Sequence, residues 1–292
     1  MAGLATGQGL GRPFLYPPGS SIGPTREKDM MKELPLPSVT SSAWEDGYLP
    51  KACYDVARNA IPAMTSADFE VRNLRFSDCS LGSWAVCRHK GSGASWDLIT
   101  GALGRIPVGM RQDFANLIVL TDAHGCAFVT GGPSIVVSRG CLTVGVLAHE
   151  GSHILDCYTL LPLVRENGYP DQCYSSTNMW LGAYKKDSYV VTTYANTNQL
   201  ENFAEVGTFA LSHFTHPGGL GAYASNWTKI SNQMGNYQAR LENIMLPESG
   251  RCTHKVPTTP AVNFNGEAAS KRDVESAEMK AFKREDKCNL SK

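Results

Sequence analysis

The stretch CLTVGVLAHEGSHILDCYTLL, Cys141 to Leu161, holds no proline and is apolar at Leu142, Val146, Leu147 and Ile154. It reads as a largely buried helix over about 142–160. Its centre resists simple burial, because His149, Glu150 and His153 bring three ionisable groups into the apolar run. Such groups are tolerated inside a protein only when paired with opposite charge, hydrogen-bonded, or bound to a metal. Any fold for this chain must supply those partners. Residues four apart lie on one helical face, so His149 and His153 aim two imidazoles at one point, while Glu150 is turned aside by one residue. This is half of a zinc site, with Glu150 placed to handle an attacking water rather than to bind the metal. The pattern HExxH arises in on the order of one in a hundred random chains of such composition, so its meaning depends on the rest of the sequence.

Catalytic zinc takes three protein ligands and keeps a further position open. A metzincin places its third ligand about ten residues after the first histidine, where this chain has Thr159. His213 and His216 sit where a helix ends before Pro217, a place suited to capping or surface histidines. The segment QLENFAEVGTFALSHF (199–214), closed by Pro217-Gly218-Gly219, reads as a second helix. Within it Glu201 and Glu205 repeat the four-residue spacing among Phe203, Val206, Phe209, Ala210 and Leu211. Two carboxylates on one face of so apolar a helix again need partners, and a metal together with a ligating imidazole would meet that need.

Upstream, DFEVRNLRFSDC (68–79) places Phe69 and Val71, then Leu74 and Phe76, as a strand with room for a break near Asn73. ANLIVLTD (115–122), CAFVT and, after the Gly131-Gly132-Pro133 turn, SIVVS (134–138) read as further strands of a small sheet. SWDLITGALGRI holds a short helix before Pro107, a polar connector runs over 165–190, and another helix is expected over 228–245. Strands come first and helices later, which argues for an α+β domain. Residues 1–45, rich in glycine, proline and serine as in GRPFLYPPGSSIGP, read as a flexible arm. Their GQGLG lacks the strand before and helix after that a nucleotide loop needs. Residues 255–292 read as a charged, flexible tail with a short helix at 272–285, which leaves one domain of catalytic size over 46–254.

An HExxH helix followed far downstream by a glutamate and a second acidic residue is the arrangement of gluzincins such as the thermolysin-like peptidases. HEGSHILDCY, with Asp156 after His153 and Tyr158 beyond it, resembles more closely the active-site helix of the anthrax lethal factor catalytic domain and its relatives. TYANTNQLENFAEVGTF, with Tyr194 ahead of Glu201, resembles that family's second block, and the two blocks together cover roughly 142–214. FEVRNLRFSDCSLGSWAVCRHK is also similar to a stretch of secreted fungal conidiation-related proteins that carry a zincin-like domain. The resemblance implies a zincin-like α+β domain with a small mixed sheet, the HExxH helix and a second, glutamate-bearing helix. It implies a zinc held by His149, His153 and Glu201, with Glu150 as general base and Tyr194 aimed at the oxyanion of the tetrahedral intermediate. Glu205 would accept the distal N–H of His149 or His153, and Asp156 would act behind the ligands as a helix-anchoring carboxylate. SIVVS would be the sheet edge that pairs with an extended peptide or protein substrate. The activity implied is zinc-dependent hydrolysis of peptide bonds. The alternative is a catalytically silent, zinc-retaining binding or developmental protein. Nothing in the chain corresponds to the lethal factor's accessory regions, so its substrate does not transfer.

Lysine plus arginine and aspartate plus glutamate total 27 each, so no field of one sign points to nucleic acid or an anionic membrane. No apolar run is long enough to span a bilayer. Nine cysteines without the CxxC spacing of a structural zinc site point to disulfides. Cys79 and Cys87 are expected as a local pair, and Cys157 either bridges to Cys173 or stands as a core thiol. Two sequons, Asn226-Trp227-Thr228 and Asn289-Leu290-Ser291, are glycan acceptors if the chain enters a secretory pathway. The opening residues show no signal peptide, yet cysteine usage leads to the expectation of a secreted protein, with a cytoplasmic one as the alternative.

Overall fold

The computed structural model describes residues 9–18, 22–60, 62–247 and 252–268. Its first elements are β1 (Phe14–Tyr16), α1 (Ile22–Glu33), β2 (Val39–Ala43), β3 (Tyr48–Pro50), α2 (Lys51–Asn59), β4 (Phe69–Phe76) and β5 (Trp84–His89). Next come α3 (Trp96–Arg105), α4 (Val108–Arg111), β6 (Asn116–Leu120), β7 (Ala127–Val129) and β8 (Ser134–Ser138). The remainder holds α5 (Val144–Ile154), α6 (Leu161–Glu166), α7 (Asn178–Lys186), β9 (Val190–Thr192), α8 (Gln199–Thr215), α9 (Ser231–Met245) and β10 (Ala261–Asn263). The chain is thus a mixture of α and β. It divides into two compact units in place of the single domain expected over 46–254: residues 36–143 with those from 251 onward, and residues up to 35 with 144–250.

The first unit is built on a six-stranded mixed sheet of order β2-β4-β5-β6-β8-β7. β5, β6 and β8 run parallel, and β6 and β8 are buried along their whole length, as strands covered on both faces must be. SIVVS is therefore not a sheet edge: β8 is hydrogen-bonded to β6 on one side and β7 on the other, and β7 is the edge. Pairing of β4 with both neighbours runs unbroken through Asn73. What changes there is the buried face, from Phe69 and Val71 to Leu74 and Phe76. Phe69 and Val71 join Cys53, Tyr54 and Ala57 of α2 in one core cluster, while Phe76 packs edge-on against Trp84. The fully buried Arg111 lies over both of those rings and donates to the carbonyls of Gly104 and Ile106 where α3 ends.

Disulfides staple this unit at Cys53–Cys87, Cys79–Cys252 and Cys126–Cys141. The expected Cys79–Cys87 pair does not form, because Cys87 on β5 faces the core cluster that contains Cys53. Part of the expected tail is ordered here as well: β10 pairs antiparallel with β3, and Val262 is buried. The helix expected at 272–285, Cys288 and the Asn289 sequon lie outside the described residues. Asn226 is exposed.

The second unit is mainly helical. The buried run expected as one helix over 142–160 is α5 followed by a wide π turn, Leu155–Thr159, and then α6. Cys157 in that turn bridges to Cys173. α5 packs along α8 so closely that a Cβ added at Gly207 would collide with Ser152 Oγ and lie 2.5 Å from the Tyr237 hydroxyl. Phe203 of α8 is ringed by Tyr174, Trp180 and Tyr237 at centroid distances of 6.1, 4.9 and 5.0 Å. Residues expected to form a loose arm are part of this unit and of the sheet. β1 pairs in parallel with β9, α1 buries Met30, and β2 joins β4. Their glycine- and proline-rich composition conceals a few buried apolar anchors, Leu15, Tyr16, Met30 and Leu34, of which Tyr16 stacks on Phe209 far along the chain.

Candidate metal centre

The helical unit brings the ionisable groups of α5 and α8 face to face. Four-residue spacing puts His149 and His153 on one face of α5, their rings 4.8 Å apart and nearly perpendicular. α8 starts where Asn198 accepts the Glu201 N–H at 2.9 Å, and its own four-residue spacing turns Glu201 and Glu205 toward those rings. Nε2 of His149 and Nε2 of His153 lie 3.2 and 3.4 Å from the same atom, Oε2 of Glu201. Nδ1 of His149 donates to Oε1 of Glu205 at 2.9 Å, and the Thr192 hydroxyl donates to Oε2 of Glu205 at 2.7 Å.

These groups polarise one another. Burial works against charge on His149, but its hydrogen bonds to Glu201 and Glu205 outweigh it and push the pKa to about 10. Burial likewise opposes the Glu201 carboxylate, yet the two imidazoles pull its pKa down to about 2. Glu205 is also lowered against its own burial, by His149, Thr192 and the charge of Arg26. Glu150, 6% exposed, behaves oppositely: burial raises its pKa, with His149 and His153 only partly countering. Tyr194, 54% exposed, has its ring 5.6 Å from that of His149. Partial burial, the nearby charges of Glu201 and Glu150, and a hydrogen bond to Glu201 raise its pKa to about 12. A proton on His149 balances the carboxylates here, and a cation could take over that task.

The residues fit zinc. Two imidazole nitrogens and one carboxylate oxygen are a zinc donor set, and the 3.2 and 3.4 Å separations match the roughly 3.3 Å edge of a tetrahedron built on zinc bonds of about 2.0–2.1 Å. His149, held from behind by a carboxylate, follows the usual support of a ligating histidine. A second cluster, Asp156, Cys157 and Cys173, is not a thiolate site, because its two cysteines form a disulfide.

The other residues singled out by sequence lie apart. Asp156 is fully buried and accepts the Ser175 N–H at 2.7 Å, so it ties the π turn to the connector beside the Cys157–Cys173 bridge. His213 accepts the Leu220 N–H at 3.1 Å and His216 pairs with Glu33 at 2.8 Å, both local structural roles. Thr192 and Arg26 were not marked by the sequence: the first sits on a three-residue strand and the second in a segment that resembled a linker.

A family model for conidiation-specific protein Con-13 matches residues 26–287. No curated protein and no solved structure matches the chain.

Proposed function

The chain belongs to the Con-13 family of conidiation-specific proteins, and we propose that it is a zinc-dependent metalloendopeptidase of the gluzincin type with a zincin-like active-site unit. The observation that carries this reading is the convergence of His149 Nε2, His153 Nε2 and Glu201 Oε2 at ligand-to-ligand spacing, with Glu205 behind His149. His149, His153 and Glu201 would hold the metal. Zinc, when bound, supplies Lewis acidity at the scissile carbonyl and a lowered pKa for the attacking water. Glu150 takes the proton from that water on a carboxylate oxygen and delivers it to the leaving amine. Its burial raises its basicity for the first step. Tyr194, kept protonated by its raised pKa, donates its hydroxyl to the developing oxyanion. Glu205 fixes the His149 ring with Nδ1–H pointing away from the site, and Thr192 fixes Glu205. The substrate is a peptide or protein.

Four disulfides among the described residues suit an oxidising compartment, and none of the described helices is long and apolar enough to cross a membrane. The disulfides support secretion as the setting of the activity. The burial of His149 and Glu150, 8% and 6% exposed, favours a second reading, a binding protein that retains zinc without turnover. Metal analysis of purified protein with a chelator-reversible peptidase assay separates the two. We expect one zinc per chain and cleavage that Glu150→Gln lowers by at least ~10²-fold while zinc stays bound. Stoichiometric zinc with no turnover across a broad peptide library would select the second reading.

A further inference from the structure

We infer that Arg26 and Glu27, neighbours on α1, are positioning residues for the candidate metal centre, each holding one of the two helices that carry its ligands. This rests on the zinc reading above. Glu27 sits at the start of α5, where its Oε1 accepts the Val144 N–H and its Oε2 the Gly145 N–H, both at 2.8 Å. A helix leaves its first N–H groups without partners and carries partial positive charge at that end, so a two-oxygen carboxylate there satisfies and complements it. His149 and His153 ride on the following turns of the same helix, and the cap fixes where they stand along its axis.

Arg26 holds α8. It is 5% exposed, its Nε donates to Ser212 Oγ at 3.0 Å, and its Nη2 donates to the Thr208 carbonyl at 3.3 Å. Its guanidinium carbon lies 3.6 Å from the centre of the Phe209 ring. Phe209 stacks on Tyr16 at 4.8 Å, and Tyr16 stands opposite Thr192 in the β1–β9 pair. Thr192 is the residue whose hydroxyl grips Glu205, and the charge of Arg26 favours the anionic form of that same glutamate. The two charges of one dipeptide therefore end on the outer supports of the histidines, one through the α5 backbone and one through α8 and Glu205. Partners in that outer layer typically set metal affinity by 10–100-fold. Asp29 of the same helix provides a contrast, since it accepts the Tyr223 hydroxyl at 2.8 Å, from a residue outside both ligand helices.

The test is zinc affinity of the full chain, measured by competition with a chelating dye, alongside thermal melts of the metal-free proteins. Arg26→Met and Glu27→Gln are each expected to weaken zinc binding by about tenfold or more. Arg26→Lys, which keeps the charge but not the fork, recovers part of the loss. Asp29→Asn lowers the melting temperature and leaves zinc affinity at the wild-type value. Should Arg26→Met fail to fold, Thr192→Val, which removes the hydroxyl that bonds Glu205 and accepts the Ala195 N–H, and Glu27→Gln decide the matter. Wild-type zinc affinity in both of the first two variants overturns the inference, as does an equal loss in Asp29→Asn, which would mark general destabilisation. A wild-type protein that binds no zinc overturns the zinc reading itself, and this inference with it.

Discussion

Asp156 is a carboxyl group with no solvent exposure, and only one of its oxygens, Oδ1, meets a donor, the Ser175 N–H. Burial outweighs its hydrogen bonding to Ser175 and raises its pKa from 3.8 to about 6. A carboxyl raised in the fold stabilises it fully below the unfolded value of 3.8, and that contribution is lost as pH climbs through 6, because the unfolded chain sheds the proton first. At 1.36 kcal/mol per unit the loss is roughly 3 kcal/mol. Asp156→Asn keeps the acceptor oxygen and removes the titration. Its stability relative to wild type should therefore grow by about that amount between pH 4 and pH 7, read from urea unfolding of both proteins in chelator. An unchanged difference across that window would mean that the carboxyl finds a partner on ionising. Tyr194 poses a kinetic question at the same scale. If its hydroxyl serves the oxyanion, Tyr194→Phe lowers kcat by about 10²-fold with little change in KM. A rise in KM at constant kcat would instead make Tyr194 a binding surface for substrate.

Gly207 shows what the elements require of each other. α5 and α8 approach so closely that a methyl group at this position meets Ser152 Oγ and the Tyr237 hydroxyl, and Ser152 is itself bonded to the Ala148 carbonyl and to Tyr237. Gly207→Ala would improve helix propensity in isolation. Here overpacking should win, lowering stability by about 1–3 kcal/mol. If the centre holds zinc, it should weaken zinc binding too, because the wedge lies between the helix bearing His149 and His153 and the helix bearing Glu201. Urea melts and dye competition on one preparation would show both losses, and an unaltered zinc affinity would mean that the helices part without disturbing the ligand faces. The sequence displayed these two helices because their signals are local: apolar periodicity, paired ionisable residues at four-residue spacing, and for α8 a proline stop. α8 runs to Thr215, one residue beyond the expected 214. The π turn after Ile154 carries no such local mark, and the sequence reads straight through it as helix. α1 stayed hidden for another reason, since Arg26 and Glu27 find their partners at Ser212 and Val144, too far along the chain for any periodicity to record. Strand order is equally non-local, which is why SIVVS reads as an edge in sequence although β7, which precedes it, closes the sheet beyond it.

At the scale of the whole molecule the chain leaves the sheet unit after Thr143 and returns to it from Arg251. The returning segment adds β10 beside β3, places the Val256 N–H on the Gln112 carbonyl, and is tied by Cys79–Cys252. That bridge spans 173 residues of sequence, whereas Cys126–Cys141 spans 15 within the same unit. If both act mainly by restricting the unfolded chain, loop closure assigns about 5 kcal/mol to the first and about 3 kcal/mol to the second. The difference grows only with the logarithm of loop length, so the long bridge should matter more, though not in proportion to its span. Replacing Cys79 and Cys252 together by serine should therefore lower the guanidinium midpoint further than replacing Cys126 and Cys141. Each pair is compared with wild type under oxidising conditions, and the gap should vanish when all three proteins are fully reduced. The reverse order would point to local packing around Cys126 and Cys141, and not chain closure, as the source of their stabilisation. Equal midpoints would show that the segment from Cys252 to Asn263 is held by its strand pairing and buried Val262 alone.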